Sequence, residues 1–268
     1  MTTESHSRNR DFVWRQPQGP YRFVSADQAS AYREDGFFVL ENAFDAATVA
    51  RLLEEIDPLE AETEAYLKRQ PKGRHGISRA GEITFRPHLV TRSEYLKEFS
   101  KGRVFQGLVH DLMGADVRLY WDQSVYKKPG AAQEFPWHQD NGYTYIEPQQ
   151  YLTCWLALTD ATLDNGCPWV VPGLHKLGTL RHWPTEFGYQ CLESPEGARA
   201  LPLKAGSIAV FSSLTPHRTG PNITRTVRKA YIVQFAADGA VMLRDGEAPL
   251  ICDAPQRQYP VLVGGEAA

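Results

Sequence analysis

The stretch Trp137-His138-Gln139-Asp140-Asn141-Gly142 places an imidazole and a carboxylate two positions apart. In an extended chain, side chains at i and i+2 point to the same face, with Cα atoms roughly 6.5–7 Å apart. His138 and Asp140 can therefore reach one cation together. On its own this pair is also compatible with a surface pair or a core histidine. The stretch thus predicts part of a metal site and requires a second histidine from elsewhere in the chain.

The chain around this stretch reads as a series of short strands. From Asp116 the apolar period changes from helical to two, which places Val117, Leu119, Trp121 and Gln123 on one strand face. Further strands are predicted at Tyr151–Leu158, Trp169–Val171, Ser207–Phe211 and Lys229–Phe235. Gly, Pro and Asn turns separate them. This pattern predicts a mainly β fold with flanking helices, as in a β-sandwich or jelly roll.

The first part of the chain reads as helical. Ser25 is the predicted N-cap of a helix that ends at Asp35-Gly36, and Phe37–Leu40 is a buried strand. Asp45 caps a second helix, which Pro58 is expected to kink or end. A third helix is predicted over residues 93–113, with Gly102 as a weak point, and residues 71–92 as a surface loop or a lid.

Length and composition restrict the class of protein. The 268 residues suffice for one large domain, predicted over 1–268, with a flexible tail at 1–20 and a β core at about 115–237. A net charge of −3 and the lack of a long apolar run give no reason to expect nucleic acid or a membrane as partner. The four cysteines form no Cys-x-x-Cys pair, which favours a reduced, cytoplasmic setting. The expected partner is a small-molecule substrate, and the sequence gives no oligomeric state.

The second histidine is predicted to be His217, which follows the strand Ser207–Phe211 in the turn Thr215-Pro216-His217. Two histidines and one carboxylate on one side of a metal, with the other positions open, form the facial triad of non-haem Fe(II) oxygenases. Arg228 follows eleven residues later and Thr219 two residues later. Alone, His217 could be structural and Arg228 a surface ion-pairing residue, so the combination carries the metal interpretation.

The same residues suit a dicarboxylic 2-oxo acid as co-substrate. Its carboxylate and oxo group would chelate the metal, and its distal carboxylate would need a cationic partner. Arg228 offers a planar fork that matches a carboxylate in a bidentate manner, and the Thr219 hydroxyl could add a hydrogen bond.

Three segments resemble the phytanoyl-CoA dioxygenase family. They are Trp137–Asp140, the run from Asp164-Asn165-Gly166 to Pro172-Gly173-Leu174-His175, and His217–Thr224 together with Arg228. Asp35–Leu40 is similar to the N-terminal strand of that family. The resemblance implies a double-stranded β-helix (jelly roll, cupin-like) and an Fe(II)- and 2-oxoglutarate-dependent dioxygenase that consumes O2.

The resemblance also implies roles for individual residues. His138, Asp140 and His217 would be the catalytic metal ligands, and Arg228 and Thr219 would bind 2-oxoglutarate. Trp155 and Gln123 are further candidates for the co-substrate pocket. Tyr143, Gln139 and Arg74 are candidate substrate contacts, although Arg74 could equally be a solvated loop charge. His175 is expected to be structural.

The expected reaction is hydroxylation, or another oxidation, of an unactivated C–H bond, with release of succinate and CO2. Asp140 occupies the position that related halogenases leave to a small residue, which favours hydroxylation. The alternative is a cupin-like metal-binding protein with a non-oxidative role, such as an isomerase or a binding module. That alternative has no use for Arg228 as a dicarboxylate anchor.

Overall fold

The computed structural model of the chain describes residues 3–268. In this range the helices are α1 (Ala26–Asp35), α2 (Ala46–Lys68), α3 (Glu94–Ser100) and α4 (Arg103–Leu112). The strands are β1 (Phe37–Leu40), β2 (Arg74–His75), β3 (Ser78–Arg79), β4 (Ile83–Pro87), β5 (Val117–Lys127), β6 (Phe135–His138), β7 (Tyr145–Glu147), β8 (Leu152–Ala157), β9 (Pro168–Val170), β10 (Trp183–Thr185), β11 (Gly188–Gln190), β12 (Arg199–Ala200), β13 (Ile208–Ser212), β14 (His217–Thr219), β15 (Arg228–Ala237), β16 (Val241–Leu243), β17 (Leu250–Ile251), β18 (Pro260–Val263) and β19 (Glu266–Ala267). Short 3-10 turns cover Pro71–Gly73, Leu89–Thr91, Asp140–Gly142 and Leu174–Leu177.

The first two helices begin where the sequence predicts. Ser25 and Gln28 form a reciprocal capping box at α1, and Gly36 ends the helix in the left-handed region with φ 86°. Asp45 caps α2 through its side chain. Of the two predicted outcomes at Pro58, an end of the helix there is wrong, because α2 continues through the proline to Lys68. Buried residues on both sides of the proline, such as Ile56 and Leu67, hold the helix against the core despite the missing N–H.

Two further predictions for the helical part need correction. The third helix is divided into α3 and α4 at Lys101-Gly102, and Gly102 is the N-cap of α4. Residues 71–92 are not a loop, because they contain β2, β3 and β4. Strand β4 pairs along β5 from Ile83 opposite Lys127 to Pro87 opposite Gln123. Pairing with a long neighbouring strand therefore outweighs the loop-like composition of this segment.

The two largest sheets are antiparallel and face each other as a double-stranded β-helix, which confirms the predicted jelly roll, and β10 and β11 form a separate two-stranded sheet. The larger sheet has the order β1-β13-β8-β15-β5-β4-β3-β2, with β18 pairing β5 and β19 pairing β18. The facing sheet has the order β12-β9-β14-β6, and a small sheet β17-β16-β7 lies beside it. The predicted core at about 115–237 corresponds to the span from β5 to β15, although β1 and β4 extend the larger sheet on both sides.

The larger sheet has different partners on its two faces. One face packs on the helices through a cluster that includes Leu52, Ile56, Phe105, Tyr231 and Phe235. The other face points between the sheets and carries apolar residues of β8, β13 and β15, among them Trp155, Phe211 and Ile232. The helices therefore cover one side of this sheet and leave the other side free to line a cavity.

A β-bulge in β5 changes which residues face this cavity. Trp121 pairs with Gln234 and Leu119 pairs with Phe235, so Tyr120 is an extra residue between two registers. The prediction that Leu119, Trp121 and Gln123 share one face is wrong for this reason. Leu119 packs in the helix-side cluster, whereas both Tyr120 and Trp121 line the cavity.

The N-terminal segment contacts the rest of the protein. Ser5 bridges to Leu180, and the Asn9 side chain donates to the carbonyls of Leu177 and Thr179. The predicted flexible tail at 1–20 stays a prediction, but Ser5 to Asn9 lie along the segment 177–180. Among residues 3–268, no helix combines the length and the apolar character that crossing a membrane requires.

Candidate metal centre and its cavity

Strand pairing brings the two predicted histidines together. His138 is the last residue of β6 and pairs directly with His217, the first residue of β14. Asp140 begins the 3-10 turn that follows β6. The Oδ1 atom of Asp140 lies 4.0 Å from Nε2 of His138 and 3.6 Å from Nε2 of His217. One ligand atom from each of the three side chains lies within 4.8 Å of the others.

Hydrogen bonds on the far side of each group orient these three atoms. Nδ1 of His138 contacts the carbonyl of Pro136 at 2.8 Å, and Nδ1 of His217 contacts that of Thr215 at 3.0 Å. Each ring is thereby set to donate from Nδ1 and to present Nε2 with a free lone pair. Oδ2 of Asp140 accepts from the Thr153 hydroxyl at 2.6 Å, which leaves Oδ1 free.

This donor set fits a first-row divalent metal. Two imidazole nitrogens and one carboxylate oxygen on one side are the ligands that non-haem Fe(II) sites use. Burial, and then the neighbouring His217, lower the pKa of His138 well below its ordinary value. The imidazole of His138 is therefore neutral at physiological pH, as a metal ligand must be.

Gln139, between the two ligands, does not contact the cavity. It is fully buried, its amide donates to the carbonyls of Gly178 and Leu214, and its oxygen accepts from the N–H of Leu180. The structure does not bring Gln139, a predicted substrate contact, to the cavity, because its extended backbone directs the side chain away from those of His138 and Asp140. Its role is to fasten the ligand-bearing segment to the neighbouring loops.

Arg228 is completely buried at the start of β15. Its guanidinium lies 5.1 Å from the centroid of the Trp155 ring, and Nη1 donates to the carbonyl of Val125 at 3.3 Å. Within the described chain, Nε and Nη2 have no hydrogen-bond partner. Burial lowers the pKa of Arg228 to about 10, so the group stays charged at neutral pH. A buried cation with two unused donors is costly, and an anion bound beside it would remove that cost.

A second buried cation lies next to Arg228. Lys127 pairs with Arg228 across β5 and β15, is 1% exposed, and its Nζ donates to the carbonyl of Gly220. Burial, and then Arg228, lower the pKa of Lys127 to about 7. Lys127 could not be identified from the sequence, in which it only marks the end of a strand.

The three candidate ligands open onto a cavity of about 490 Å³ between the sheets. Gln123, Trp155 and Thr219, the other predicted co-substrate residues, line it. Tyr143 also lines it, with its ring 5.2 Å from that of His138 in an edge arrangement. The rest of the wall is mostly aromatic and aliphatic, and includes Tyr120, Trp121, Phe135, Tyr151, Phe211, Ile232 and Met242.

Arg74 lies outside this cavity. Its guanidinium donates to the Glu186 side chain at 3.3 Å and to the Glu186 carbonyl at 3.2 Å, near the protein surface. Arg79 reaches the same carbonyl, and Arg86 lies 3.6 Å from a Glu62 oxygen. The structure thus does not bring Arg74 to the cavity, because its guanidinium binds Glu186 in the connection between β10 and β11.

Several residues that hold the site together could not be identified in the sequence. Gln234 on β15 donates to the Thr153 hydroxyl at 3.1 Å, and Thr153 donates to Asp140. His182 accepts from the backbone N–H of Gln139 at 2.9 Å and packs where a side chain at Gly142 would be. His175, as expected, is structural, since it is buried and packs against Trp14. In the sequence, Thr153 and Gln234 stand out only as polar residues inside apolar strands.

Comparison with known proteins identifies relatives for most of the chain. The model of the phytanoyl-CoA dioxygenase (PhyH) family matches residues 32–230. A phytanoyl-CoA dioxygenase from Arabidopsis thaliana is 29% identical over 156 residues, which is 56% of this chain and 55% of that protein. An ectoine dioxygenase from Bordetella parapertussis is 27% identical over 223 residues, 75% of this chain and 71% of that protein.

A solved structure shares the fold. The epimerase SnoN, in complex with Fe3+, alpha ketoglutarate and nogalamycin RO, superposes with a TM-score of 0.65 at 23% sequence identity. The superposition covers 82% of this chain and 86% of the SnoN chain. At this identity the likeness establishes the jelly-roll architecture alone.

Proposed function

The chain belongs to the phytanoyl-CoA dioxygenase family, and we propose that it hydroxylates an unactivated C–H bond of a small metabolite. It is a 2-oxoglutarate-dependent oxygenase that works with Fe(II) and O2, as the family match and the His-Asp-His cluster indicate. Hydroxylation as the outcome, the substrate and the roles of individual residues are the parts that we propose.

The observation that carries the proposal is the geometry of four side chains. His138, Asp140 and His217 direct one free ligand atom each toward a common point at the cavity wall. Arg228, with two unused donors, lies behind Val125 and Trp155, which line the same cavity. A metal site with a buried carboxylate anchor beside it suits a metal-chelating diacid. A non-oxidative cupin would not need the buried Arg228 cation as a carboxylate anchor.

Each residue has a defined task in this proposal. His138, Asp140 and His217 hold Fe(II), and the Thr153 hydroxyl keeps Asp140 oriented. Arg228 clamps the distal carboxylate of 2-oxoglutarate, with Thr219 as a further donor. When bound, Fe(II) with 2-oxoglutarate supplies the oxidising power: one oxygen atom of O2 enters the substrate C–H bond, the other enters succinate, and CO2 leaves.

The cavity wall supports a small-molecule substrate. A volume of about 490 Å³ lies within the usual range of roughly 300–1,000 Å³ for ligand sites. Its aromatic and aliphatic lining would exclude water from the reacting bond. A cytoplasmic location remains part of the proposal, supported by four free cysteines that are all buried.

The test is anaerobic addition of Fe(II) and 2-oxoglutarate to the purified protein. A weak visible charge-transfer band is expected in the wild type and should be lost in His217→Ala. His75→Ala serves as the matched control, because His75 is exposed and lies outside the cavity. A wild type without this band, and without substrate-linked succinate, would contradict the oxygenase mechanism.

Labelled O2 separates hydroxylation from other oxidations. Hydroxylation predicts one labelled oxygen atom in the product and one in succinate. An unlabelled, rearranged or desaturated product would keep the oxygenase assignment and reject the hydroxylase assignment.

A further inference from the structure

A second basic region lies at the wall of the same cavity, away from Arg228. Arg244 follows β16, and Arg257 lies in the turn before β18. Both residues line the cavity, together with His88, Trp121 and Met242. Both also lie beyond residues 32–230, the part of the chain that matches the family model.

The turn that carries Arg257 is fixed to the larger sheet. Backbone N–H groups of Arg257 and Gln258 donate to the carbonyl of Ala254, and the Gln258 side chain accepts from the N–H of Ala254. The buried Gln258 amide also donates to the backbone carbonyl of Tyr120, the bulged residue of β5. Arg257 is therefore held at a defined position beside Tyr120 and Trp121.

The Arg257 guanidinium has no protein partner among residues 3–268, neither an ion pair nor a hydrogen bond that it donates. Arg244 is more exposed and lies 3.5 Å from Glu247. Asp140, one of the candidate metal ligands, is the only carboxylate among the described residues of the cavity wall. No acidic side chain of this wall thus remains to neutralise Arg257.

His88 adds a neutral polar group to this region. It adopts the left-handed conformation with φ 61°, and its ring lies 4.4 Å from that of Trp121. Its buried Nδ1 has no partner in the described structure. Burial, and then Arg257, lower the pKa of His88 to about 4, so the charge of this region at neutral pH comes from the arginines.

The two basic regions lie at different positions along β5. The Arg228 guanidinium donates to the carbonyl of Val125, whereas the Arg257 turn is fixed to the carbonyl of Tyr120, five residues earlier. At a rise of about 3.3 Å per residue, five residues correspond to roughly 16 Å of strand. An anion clamped by Arg228 therefore leaves Arg257 free for a second ligand.

We infer that this enzyme takes a substrate with an apolar or aromatic body and an anionic group, a carboxylate or a phosphorus oxyanion, that pairs with Arg257. The inference rests on the proposed function and specifies its substrate class. Arg257 holds the anionic group, Tyr120, Trp121 and Met242 contact the apolar body, and the bond to be oxidised faces the candidate metal ligands. A guanidinium suits either anion because both accept two parallel hydrogen bonds.

The test uses anaerobic calorimetry on protein loaded with Fe(II) and saturating 2-oxoglutarate. The probes are phenylbutyrate, phenylphosphonate and the neutral phenylbutanol. At least one anionic probe is expected to bind about tenfold or more tightly than the alcohol, the effect of a charge-assisted hydrogen bond. Which of the two anions binds better identifies the carboxylate or the phosphorus oxyanion as the group recognised.

Two variants test whether Arg257 causes the preference for anionic probes. Arg257→Met should abolish the preference for the anion, and Arg92→Met, a surface arginine 3.3 Å from Glu62, should keep it. Equal binding of the anions and the alcohol, no binding of either anion, or an intact preference in Arg257→Met would each overturn the inference. Binding of 2-oxoglutarate itself, measured on the same samples, reports separately on the proposed function. If 2-oxoglutarate does not bind, the probes are titrated into Arg228→Met protein without 2-oxoglutarate, which still tests whether Arg257 binds the anionic group.

Discussion

Two cationic regions of opposite character lie near the cavity, one behind its wall and one in the wall. Arg228 is fully buried on a central strand, inside the part of the chain that matches the family model. Arg257 is partly exposed on a turn, beyond that part. Arg228 packs on Trp155 and has Lys127 as a second cation beside it. Within residues 3–268, Arg257 has neither a buried second cation beside it nor a carbonyl to which its guanidinium donates.

The difference indicates that the two regions bind different ligands. A buried, rigid guanidinium is pre-organised for one small anion and tolerates little variation in ligand size. A partly exposed guanidinium at the cavity wall is not enclosed on all sides, so it can serve ligands of different length. We therefore expect substitutions near Arg228 to affect 2-oxoglutarate and those near Arg257 to affect the substrate.

The largest expected effect is that of Arg228→Met. Loss of a charge-assisted, bidentate contact of about 1.5–3 kcal/mol should raise the KM for 2-oxoglutarate about 10- to 150-fold. The same variant should raise the Tm of the ligand-free protein, because it removes a buried cation with unused donors. Arg257→Met should leave the KM for 2-oxoglutarate unchanged. If both variants raise it equally, the two regions do not differ in the proposed way.

Thr153→Val should weaken the metal site without touching either arginine. It removes the hydrogen bond that orients Asp140 and leaves Gln234 without its partner. Loss of such a supporting contact costs about 10- to 100-fold in metal affinity, and we expect the lower end, measured by Fe(II) titration. Thr63→Val is the matched control, since the buried Thr63 hydroxyl donates to the Leu59 carbonyl within α2, far in sequence from the ligand-bearing strands. Unchanged Fe(II) affinity in Thr153→Val would remove this support from the site.

Lys127→Met tests the electrostatic cost of the buried region through pH. The pKa of Lys127 is lowered to about 7 in the folded protein, below its ordinary value of 10.5. The unfolded chain therefore binds the extra proton between these values, and the destabilisation by Lys127 is complete below about pH 7 and fades as the pH rises. The Tm gain of the variant, about 2–4 °C for each kcal/mol recovered, should be larger near pH 6 than near pH 9. A gain independent of pH would show that Lys127 does not titrate in this way.

The smallest effect is expected for Arg74→Met. The ion pair of Arg74 with Glu186 is largely exposed, and such pairs contribute about 0–1 kcal/mol. Neither the KM for 2-oxoglutarate nor the preference for anionic probes should change. A clear loss of substrate affinity in steady-state assays would mean that the surface hairpin, rather than the Arg257 turn, contacts the substrate.

The sequence predicted the parts of the fold that depend on local signals. The Ser25 and Asp45 caps, the Gly36 stop and the main strands follow from short-range chemistry. Pro58 inside a helix and β4 in place of a loop did not, since packing and pairing with distant residues override local preference there. The bulge at Tyr120 had no sequence signal, because a register shift is defined by the partner strand.

The residue types and spacings of the sequence alone determined which side chains could bind a metal and a diacid: His138, Asp140, His217 and Arg228 carry that chemistry wherever they lie. Only the tertiary structure decided which of them meet, since the β6–β14 pairing joins residues 79 positions apart. The tertiary structure also directs the Gln139 side chain away from the cavity, pairs Arg74 with Glu186 and places Arg257 at the cavity wall. The physical reason is that donor chemistry belongs to a residue, whereas direction and proximity depend on strand register and on turns fixed by distant parts of the chain.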